Sequence, residues 1–97
     1  MDPALPDLQI ADVVASTAGR DTDKWFYVLS MDDTYLYLAN VKDRTIEKPK
    51  KKKRKHAKKV LRSETRVAEK LRAGDKVLNS ELRRDLAVIG QEMQSKP

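Results

Sequence analysis

The stretch that decides the fold is Trp25-Phe-Tyr-Val-Leu-Ser-Met-Asp-Asp-Thr-Tyr-Leu-Tyr-Leu-Ala39. Aromatic and branched residues, which favour strands, dominate Trp25 to Met31 and Thr34 to Ala39. Only Asp32 and Asp33 separate the two runs, and a connection of two turn-forming residues favours a tight hairpin. The sequence therefore predicts two antiparallel strands at its centre.

The predicted hairpin is apolar on both faces. With Asp32 and Asp33 as the loop, Val28 lies opposite Tyr37. Apolar residues then point to both faces of the hairpin, so neither face has the polar side chains of a solvated surface. A sheet with one solvated face normally alternates apolar and polar side chains, so a second layer must cover this one. We expect the C-terminal segment to supply that layer.

Further strands are predicted on both sides of the hairpin. Ile10 to Ser16 forms the first strand and ends at a turn that contains Gly19. A fourth strand is expected around Thr45-Ile46, and Val60-Leu61 is expected in a fifth. Five short strands indicate a small β-barrel over residues 8–62.

The last part of the chain, residues 63–97, changes to helical spacing. Ser63 or Thr65 is expected to cap a first helix, which Gly74 ends in left-handed geometry. Asn79-Ser80 is expected to cap a second helix, and Gly90 to end or weaken it. The apolar positions of this helix are Leu82, Leu86, Ile89 and Met93, whereas Arg83, Arg84 and Asp85 are expected to face away. The predicted fold class is thus mainly β with a two-helix α extension.

The composition indicates one small domain with a modest core, because 37% of the 97 residues are charged. The absence of cysteine excludes disulfides, thiolate metal sites and cysteine nucleophiles, and suits a reducing cytosol. No apolar run approaches the roughly 20 residues of a membrane helix. Met1 to Asp7, with Pro3 and Pro6, lacks the pattern of a signal peptide and predicts a flexible N-terminal arm over residues 1–7. We expect a cytoplasmic, monomeric protein.

The basic charge is concentrated in one block. Residues 1–41 contain two basic and seven acidic residues, whereas residues 42–62 contain twelve basic and two acidic ones. Such a block repels itself unless it is solvated or meets a polyanion, of which phosphate is the commonest inside cells. A solubilising loop would be better served by interspersed charges of both signs. We therefore interpret residues 48–59 as a basic loop that contacts nucleic acid.

Within this block, lysine outnumbers arginine, which predicts affinity for phosphate with little sequence choice. The run after Pro49 also resembles a basic nuclear import signal, which is an alternative reading. The candidate RNA contacts of the block are Lys48, Lys50, Lys51, Lys52, Lys53, Arg54, Lys55, His56, Lys58 and Lys59.

The stretch Leu8 to Val28, with Gly19 in its loop, resembles a KOW motif, a strand-loop-strand element. Together with the continuation Ile46 to His56, it resembles the small bacterial KOW-domain RNA-binding proteins, which are similar to the KOW-containing large-subunit ribosomal proteins of archaea and eukaryotes. The resemblance implies an SH3-like β-barrel that binds ribosomal or other structured RNA, with ribosomal proteins as further partners. The chain departs from the family at Ala11 and Asp23, where the family often has glycine.

The turn of this motif holds two further candidate contacts. Gly19 is expected to adopt a backbone angle that other residues avoid, and it also lets the loop approach a phosphate. Arg20 and Lys24 flank it, and they either contact phosphate or pair with Asp21 and Asp23. The sequence leaves both readings open.

Aromatic residues are a second source of affinity for RNA. Trp25, Phe26 and Tyr27 are expected in the core, and Tyr35 and Tyr37 are the best candidates for stacking on unpaired bases.

The sequence predicts no enzyme, cofactor or metal site. It has one histidine and three scattered glycines, so there is no phosphate-binding glycine loop, histidine triad or zinc site. The aspartate pairs at the turns are interpreted as turn chemistry. Two other functions remain open: a protein-interaction module that docks through the barrel and its helices, and a transcription-associated KOW factor.

Overall fold

Five strands and two helices make up residues 8–95, the part of the chain that the computed structural model describes. The sheet is antiparallel and the helices follow it, so the predicted mainly-β class with an α extension is confirmed. The predicted N-terminal arm, residues 1–7, lies outside the described residues. The elements are β1 (Asp12–Ser16), β2 (Trp25–Met31), β3 (Tyr35–Ala39), β4 (Lys50–Lys53), a short 3-10 helix (Arg54–His56), β5 (Ala57–Arg62), α1 (Arg66–Ala73) and α2 (Asn79–Ser95).

The sheet is strongly curled. Its strand order is β4-β3-β2-β1-β5, so β4 and β5 lie at opposite ends. Only the 3-10 helix Arg54–His56 connects them, and a chain spans at most about 3.6 Å per residue. The two ends of the sheet must therefore approach each other. The side chain of Lys52 in β4 accordingly reaches Ser16 in β1.

The central hairpin forms where it was predicted, but in a different register. The predicted register placed Val28 opposite Tyr37, whereas the structure places Leu38 opposite Val28 and Tyr37 opposite Ser30. The register shifts between Val28 and Ser30, where β2 carries a bulge or irregularity. The assumption of an unbroken ladder was therefore wrong.

The loop of this hairpin is also longer than predicted, because Thr34 belongs to the loop and β3 begins at Tyr35. The Asp32 carboxylate accepts hydrogen bonds from the backbone N–H groups of Thr34 (2.8 Å) and Tyr35 (2.7 Å). These bonds hold the pKa of Asp32 below its usual value. Turn chemistry was thus correctly assigned to Asp32.

The fourth strand is Lys50–Lys53, and no strand forms at Thr45-Ile46. The sequence predicted residues 48–59 as a basic loop, and the loop conformation is wrong, because most of these residues form β4, the 3-10 helix and the start of β5. Lysine has a low strand preference, so pairing with β3 decides the conformation of β4. The fifth strand, Ala57–Arg62, contains Val60-Leu61 as predicted.

Two apolar clusters lie on the two faces of the sheet. The cluster made by Leu8 and the strands comprises Leu8, Val14, Phe26, Val28, Leu36, Leu38 and Ala57. In the other cluster, Val13 and Tyr27 of the sheet pack with α1 and α2 through Val67, Ala68, Leu82 and Ile89. The helices therefore cover the second face of β2, as the two-sided apolar pattern predicted.

Helix α1 begins and ends as predicted. The Thr65 hydroxyl accepts a hydrogen bond from the N–H of Ala68 at 3.2 Å, and Gly74 follows the helix with a φ of +78°. Helix α2 continues through Gly90 to Ser95, so the prediction that Gly90 ends it is wrong. None of the helices formed by residues 8–95 has the length and apolarity needed to cross a bilayer.

The predicted cap Asn79 instead joins α2 to the β3–β4 connection. Its Oδ1 accepts a hydrogen bond from the N–H of Ile46 at 2.9 Å, and its Nδ2 donates to the Glu47 carboxylate at 2.7 Å. The Glu81 carboxylate accepts from the N–H of Leu78 at 3.4 Å, at the start of the helix. Asn79 was misassigned because a distant backbone group uses its side chain.

A polar cluster ties the sheet to both helices. The Tyr27 hydroxyl donates to the Asp85 carboxylate and lies 2.9 Å from Ser63 Oγ. Thr65 Oγ1 also donates to Asp85, at 2.9 Å. Burial, together with the bond to Asp85, raises the pKa of Tyr27 to about 12. Asp85 therefore does not face away from the sheet as predicted, because it is the acceptor for two hydroxyl groups.

Replacing Leu82 by alanine should lower the free energy of unfolding by about 2–5 kcal/mol, since Leu82 is fully buried between α2 and the sheet. Leu78→Ala is the matched control, because Leu78 is 51% exposed and its truncation leaves no cavity. Urea unfolding measures both. Equal losses in the two variants would contradict the packing of α2 on the sheet.

Candidate nucleic-acid interface

The Gly19 turn has the backbone geometry that the sequence predicted. Gly19 has a φ of +86°, and both the N–H and the hydroxyl of Thr22 donate to its carbonyl oxygen. A Cβ atom at Gly19 would come no closer than 3.6 Å to its nearest neighbour, Asp21 Oδ1. The backbone angle, and not crowding, therefore requires glycine here.

A buried ion pair anchors this turn to β4. Lys52 is 9% exposed, and its ammonium group donates to Ser16 Oγ, to the Ala18 carbonyl at 2.6 Å and to Asp21 Oδ1 at 2.9 Å. An ammonium group has three donors, so all are used inside the protein. The assignment of Lys52 as an RNA contact is corrected: Lys52 stabilises the fold.

Asp21 is the common acceptor of two lysines, because Lys50 Nζ also lies 3.2 Å from its Oδ2. Burial opposes ionisation of Asp21, but hydrogen bonds from Lys52, Ser16 and Lys50 outweigh it and hold the pKa of this carboxyl well below its usual range. Asp21 is therefore charged at neutral pH. It pairs with the lysines of β4 and not with Arg20 or Lys24.

The remaining lysines of the basic block face solvent. Successive residues of a strand point to opposite sides, so Lys51 and Lys53 are exposed where Lys50 and Lys52 turn to Asp21. We call Lys48, Lys51, Lys53, Lys55 and Lys58 the exposed lysines. Among residues 8–95, no carboxylate lies within 4.0 Å of their ammonium groups. Their charge is therefore available to a ligand.

Three other predicted contacts are partly used by the fold. The Arg54 guanidinium donates to the Asp32 carbonyl at 3.3 Å, and the His56 carbonyl accepts from the N–H of Thr17 at 2.9 Å. Lys59 Nζ lies 3.6 Å from a carboxylate oxygen of the buried Asp12. All three side chains remain half-exposed.

The cations of the Gly19 turn, Arg20 and Lys24, lie beside the β3–β4 connection. Lys24 forms a 3.0 Å ion pair with Asp43, and not with Asp21 or Asp23. Arg20 and Lys24 line a cleft of about 110 Å³ together with Arg44 and Lys50. Arg44 was not predicted from the sequence, because only the fold brings the β3–β4 connection beside this turn.

A second basic cleft, of about 260 Å³, lies at the end of the β4–β5 connection. Its cationic walls are Lys53, Arg54 and Lys55, and Asp33 and Thr34 of the hairpin loop complete it. Because Lys50 and Lys53 are the two ends of β4, the two clefts lie at opposite ends of one strand. The structure thus gathers most of the predicted cations along β4.

The aromatic residues divide as expected. Phe26 and Tyr27 are fully buried, and Trp25 packs against the helix-covered cluster. Tyr35 and Tyr37 are half-buried on β3, directly opposite Lys53 and Lys51. The ammonium group of Lys51 lies 4.3 Å from the ring centroid of Tyr35.

Comparison with known proteins assigns no family: no protein-family model and no curated protein matches the chain. The described residues also contain no group of three or more histidine, aspartate or glutamate side chains that could hold a metal ion. The candidate functional residues are the basic and aromatic side chains along β3 and β4.

Asp21→Asn should lower the free energy of unfolding at neutral pH by about 3 kcal/mol, because it leaves the buried Lys52 without its counter-charge. Because folding lowers the pKa of Asp21, its carboxylate stabilises the fold at pH values above about 4, which is the pKa of an aspartate in the unfolded chain. This stabilisation is lost progressively as the pH falls below that value. The difference in the free energy of unfolding between the wild type and Asp21→Asn should therefore become smaller in acid. Denaturant unfolding between about pH 7 and pH 3 measures it.

Asp33→Asn is the control for this titration, because Asp33 is exposed and neighbours the same basic block. Its unfolding free energy should follow the wild-type value at each pH. A wild-type advantage over Asp21→Asn that stays constant into acid would show that Asp21 is not the titrating group.

Proposed function

We propose that this protein binds RNA by its phosphates, through the exposed lysines. The observation that carries the proposal is the sorting of the basic block: the cations that the fold requires meet Asp12 and Asp21, while Lys48, Lys51, Lys53, Lys55 and Lys58 meet none of the described carboxylates. Positive charge concentrated on one edge of a domain attracts a polyanion and favours its rapid association.

The structured backbone of residues 48–59 supports this function. Lys51 and Lys53 lie in β4, Lys55 in the 3-10 helix and Lys58 in β5, so binding needs less ordering of the chain than it would in an irregular loop. Lysine presents a point charge that suits phosphate in many orientations. The interface is therefore suited to affinity for RNA with little choice of sequence.

The choice of RNA follows from the resemblance to KOW-domain proteins. Ala11 and Asp23, the two positions where that family often has glycine, have φ values of +72° and +73°. These left-handed angles are the ones that glycine adopts most easily, so the backbone suits the motif even where the residues differ. We take the curled sheet as a closed SH3-like barrel and the ligand as structured RNA, foremost ribosomal RNA in the cytoplasm, with ribosomal proteins beside it.

Binding should depend steeply on salt. If the exposed lysines and their neighbours neutralise about six phosphates, log K falls with log salt at a slope of roughly −4 to −5. Replacing Lys51, Lys53, Lys55 and Lys58 by glutamine should weaken binding to all RNA sequences and bring the slope about 3 units closer to zero. Fluorescence anisotropy with a labelled RNA hairpin measures both.

The matched control removes the same charge from the helical side of the molecule, by replacing Arg66, Lys76, Arg83 and Arg84 with glutamine. These four residues are exposed and lie outside the basic block. The slope of log K against log salt for this control variant should stay close to that of the wild type. The same loss of slope in both variants would show that the net charge of the protein, and not the position of the exposed lysines, governs binding.

The role of the Gly19 turn can be tested separately. Gly19→Val should cost about 1–2 kcal/mol of stability, because valine tolerates a left-handed φ poorly. It should also weaken RNA binding, since the turn positions Arg20 and Lys24. The double variant Arg20→Ala, Lys24→Ala should weaken binding while thermal unfolding stays near wild type. Wild-type affinity in the double variant would confine Gly19 to a structural role.

A further inference from the structure

Two tyrosines of β3 are not used by either apolar cluster. Leu36 and Leu38, which alternate with them along the strand, pack in the strand-formed cluster. Tyr35 and Tyr37 point to the opposite face and belong to neither cluster. The hydroxyl of Tyr37 donates to Asp32 at 3.3 Å, which restrains that ring.

The helices cover only part of this face. They pack on residues of β1, β2 and β5 such as Val13, Tyr27 and Leu61. The part carried by β3 and β4 presents two tyrosines beside two exposed lysines, paired as Tyr35 with Lys53 and Tyr37 with Lys51. We call these four residues the aromatic-basic surface.

This combination matches a nucleotide better than it matches phosphate alone. Lys51 is exposed, and a cation–π contact at an exposed site is weak, so its ammonium group can leave Tyr35 for a phosphate. The ring it leaves can then stack on a base, which is a sequence-tolerant contact. Lysine and tyrosine thus recognise the two parts of one nucleotide on neighbouring strands.

We propose that unpaired RNA nucleotides bind the aromatic-basic surface, with bases stacked on Tyr35 and Tyr37 and flanking phosphates held by Lys51 and Lys53. The inference rests on the proposed function and narrows its ligand to RNA with unpaired nucleotides. Bases inside a duplex are already stacked on one another and cannot reach the rings. The surface therefore selects loops, bulges and single-stranded segments over uninterrupted duplex.

The test compares the full-length protein with a double variant, Tyr35→Val with Tyr37→Val. Valine keeps a high strand preference and removes the ring without changing the charge. The probes are an unstructured oligoribonucleotide of about ten nucleotides and a blunt duplex that contains the same strand. We expect about a tenfold loss of affinity for the single strand, less than about a twofold loss for the duplex, and unchanged salt slopes for both.

Tyr35→Phe with Tyr37→Phe is the conservative control, because it keeps both rings and loses only the hydroxyl groups. It should bind the single strand as the wild type does. Equal losses for single strand and duplex in the valine variant, or no loss for either, would overturn the inference while leaving phosphate binding intact. A wild-type protein that binds neither probe at low salt would instead overturn the proposed function.

A second measurement does not depend on the folding of a variant. In the wild-type protein, stacking of a base should move the NMR signals of the Tyr35 and Tyr37 ring protons upfield when the single strand is added. The duplex should leave these signals in place. Ring signals that do not move while the single strand binds would overturn the inference.

Discussion

The buried ion pair between Lys52 and Asp21 determines how the basic segment is presented. Strand β4 consists of four lysines, so its composition cannot distinguish one register from the next. A slip by one residue would turn Lys51 and Lys53 inward and Lys52 outward. Asp21, held by Ser16 and the Gly19 turn, accepts the lysine opposite it and removes this ambiguity. Buried ion pairs often add little net stability, and specifying a register is the use for which they are best supported. Lys51 and Lys53 are therefore exposed because Lys52 is buried.

Local sequence was sufficient for the fold where apolar residues repeat with a clear period. The hairpin of Trp25 to Ala39 and the helix that begins after Thr65 need only their own residues to be recognised. Local sequence was not sufficient where a group distant in the chain determines the conformation. The lysines of β4 favour solvent, and pairing with β3 overrides that preference. Asn79 has the chemistry of a helix cap, but Ile46 uses its side-chain oxygen. A register shift in β2 displaced the pairing, and no residue type marks such a shift.

The candidate interface was located from the sequence by charge density alone, and its individual members were not. Lys51 and Lys52 are adjacent and chemically identical, yet Lys51 contacts the half-buried ring of Tyr35 and Lys52 contacts the buried carboxylate of Asp21. The difference arises from strand alternation, which a segment interpreted as a loop does not have. Arg44 precedes the predicted contacts of residues 48–59 in the sequence, and only the fold sets it beside Lys50 and the Gly19 turn. Net charge identifies a ligand class, whereas pairing geometry identifies the residues that can meet it.

The uneven distribution of charge along the chain has a physical role in this arrangement. Three acidic residues of the first 43 positions, Asp12, Asp21 and Asp43, are paired with cations. Their partners include Lys50, Lys52 and Lys59, which belong to the basic block. Each pair with Asp12 or Asp21 compensates a positive charge of the basic block, whereas none of the described carboxylates compensates the exposed lysines. Charges of opposite sign cancel over a distance of several ångströms, but an unpaired cluster attracts a polyanion over about a Debye length of 10 Å. Asp12 and Asp21 thereby neutralise cations that the fold uses, while Lys51 and Lys53 of β4 and Lys55 of the β4–β5 connection keep their charge beside the half-buried Tyr35 and Tyr37 of β3.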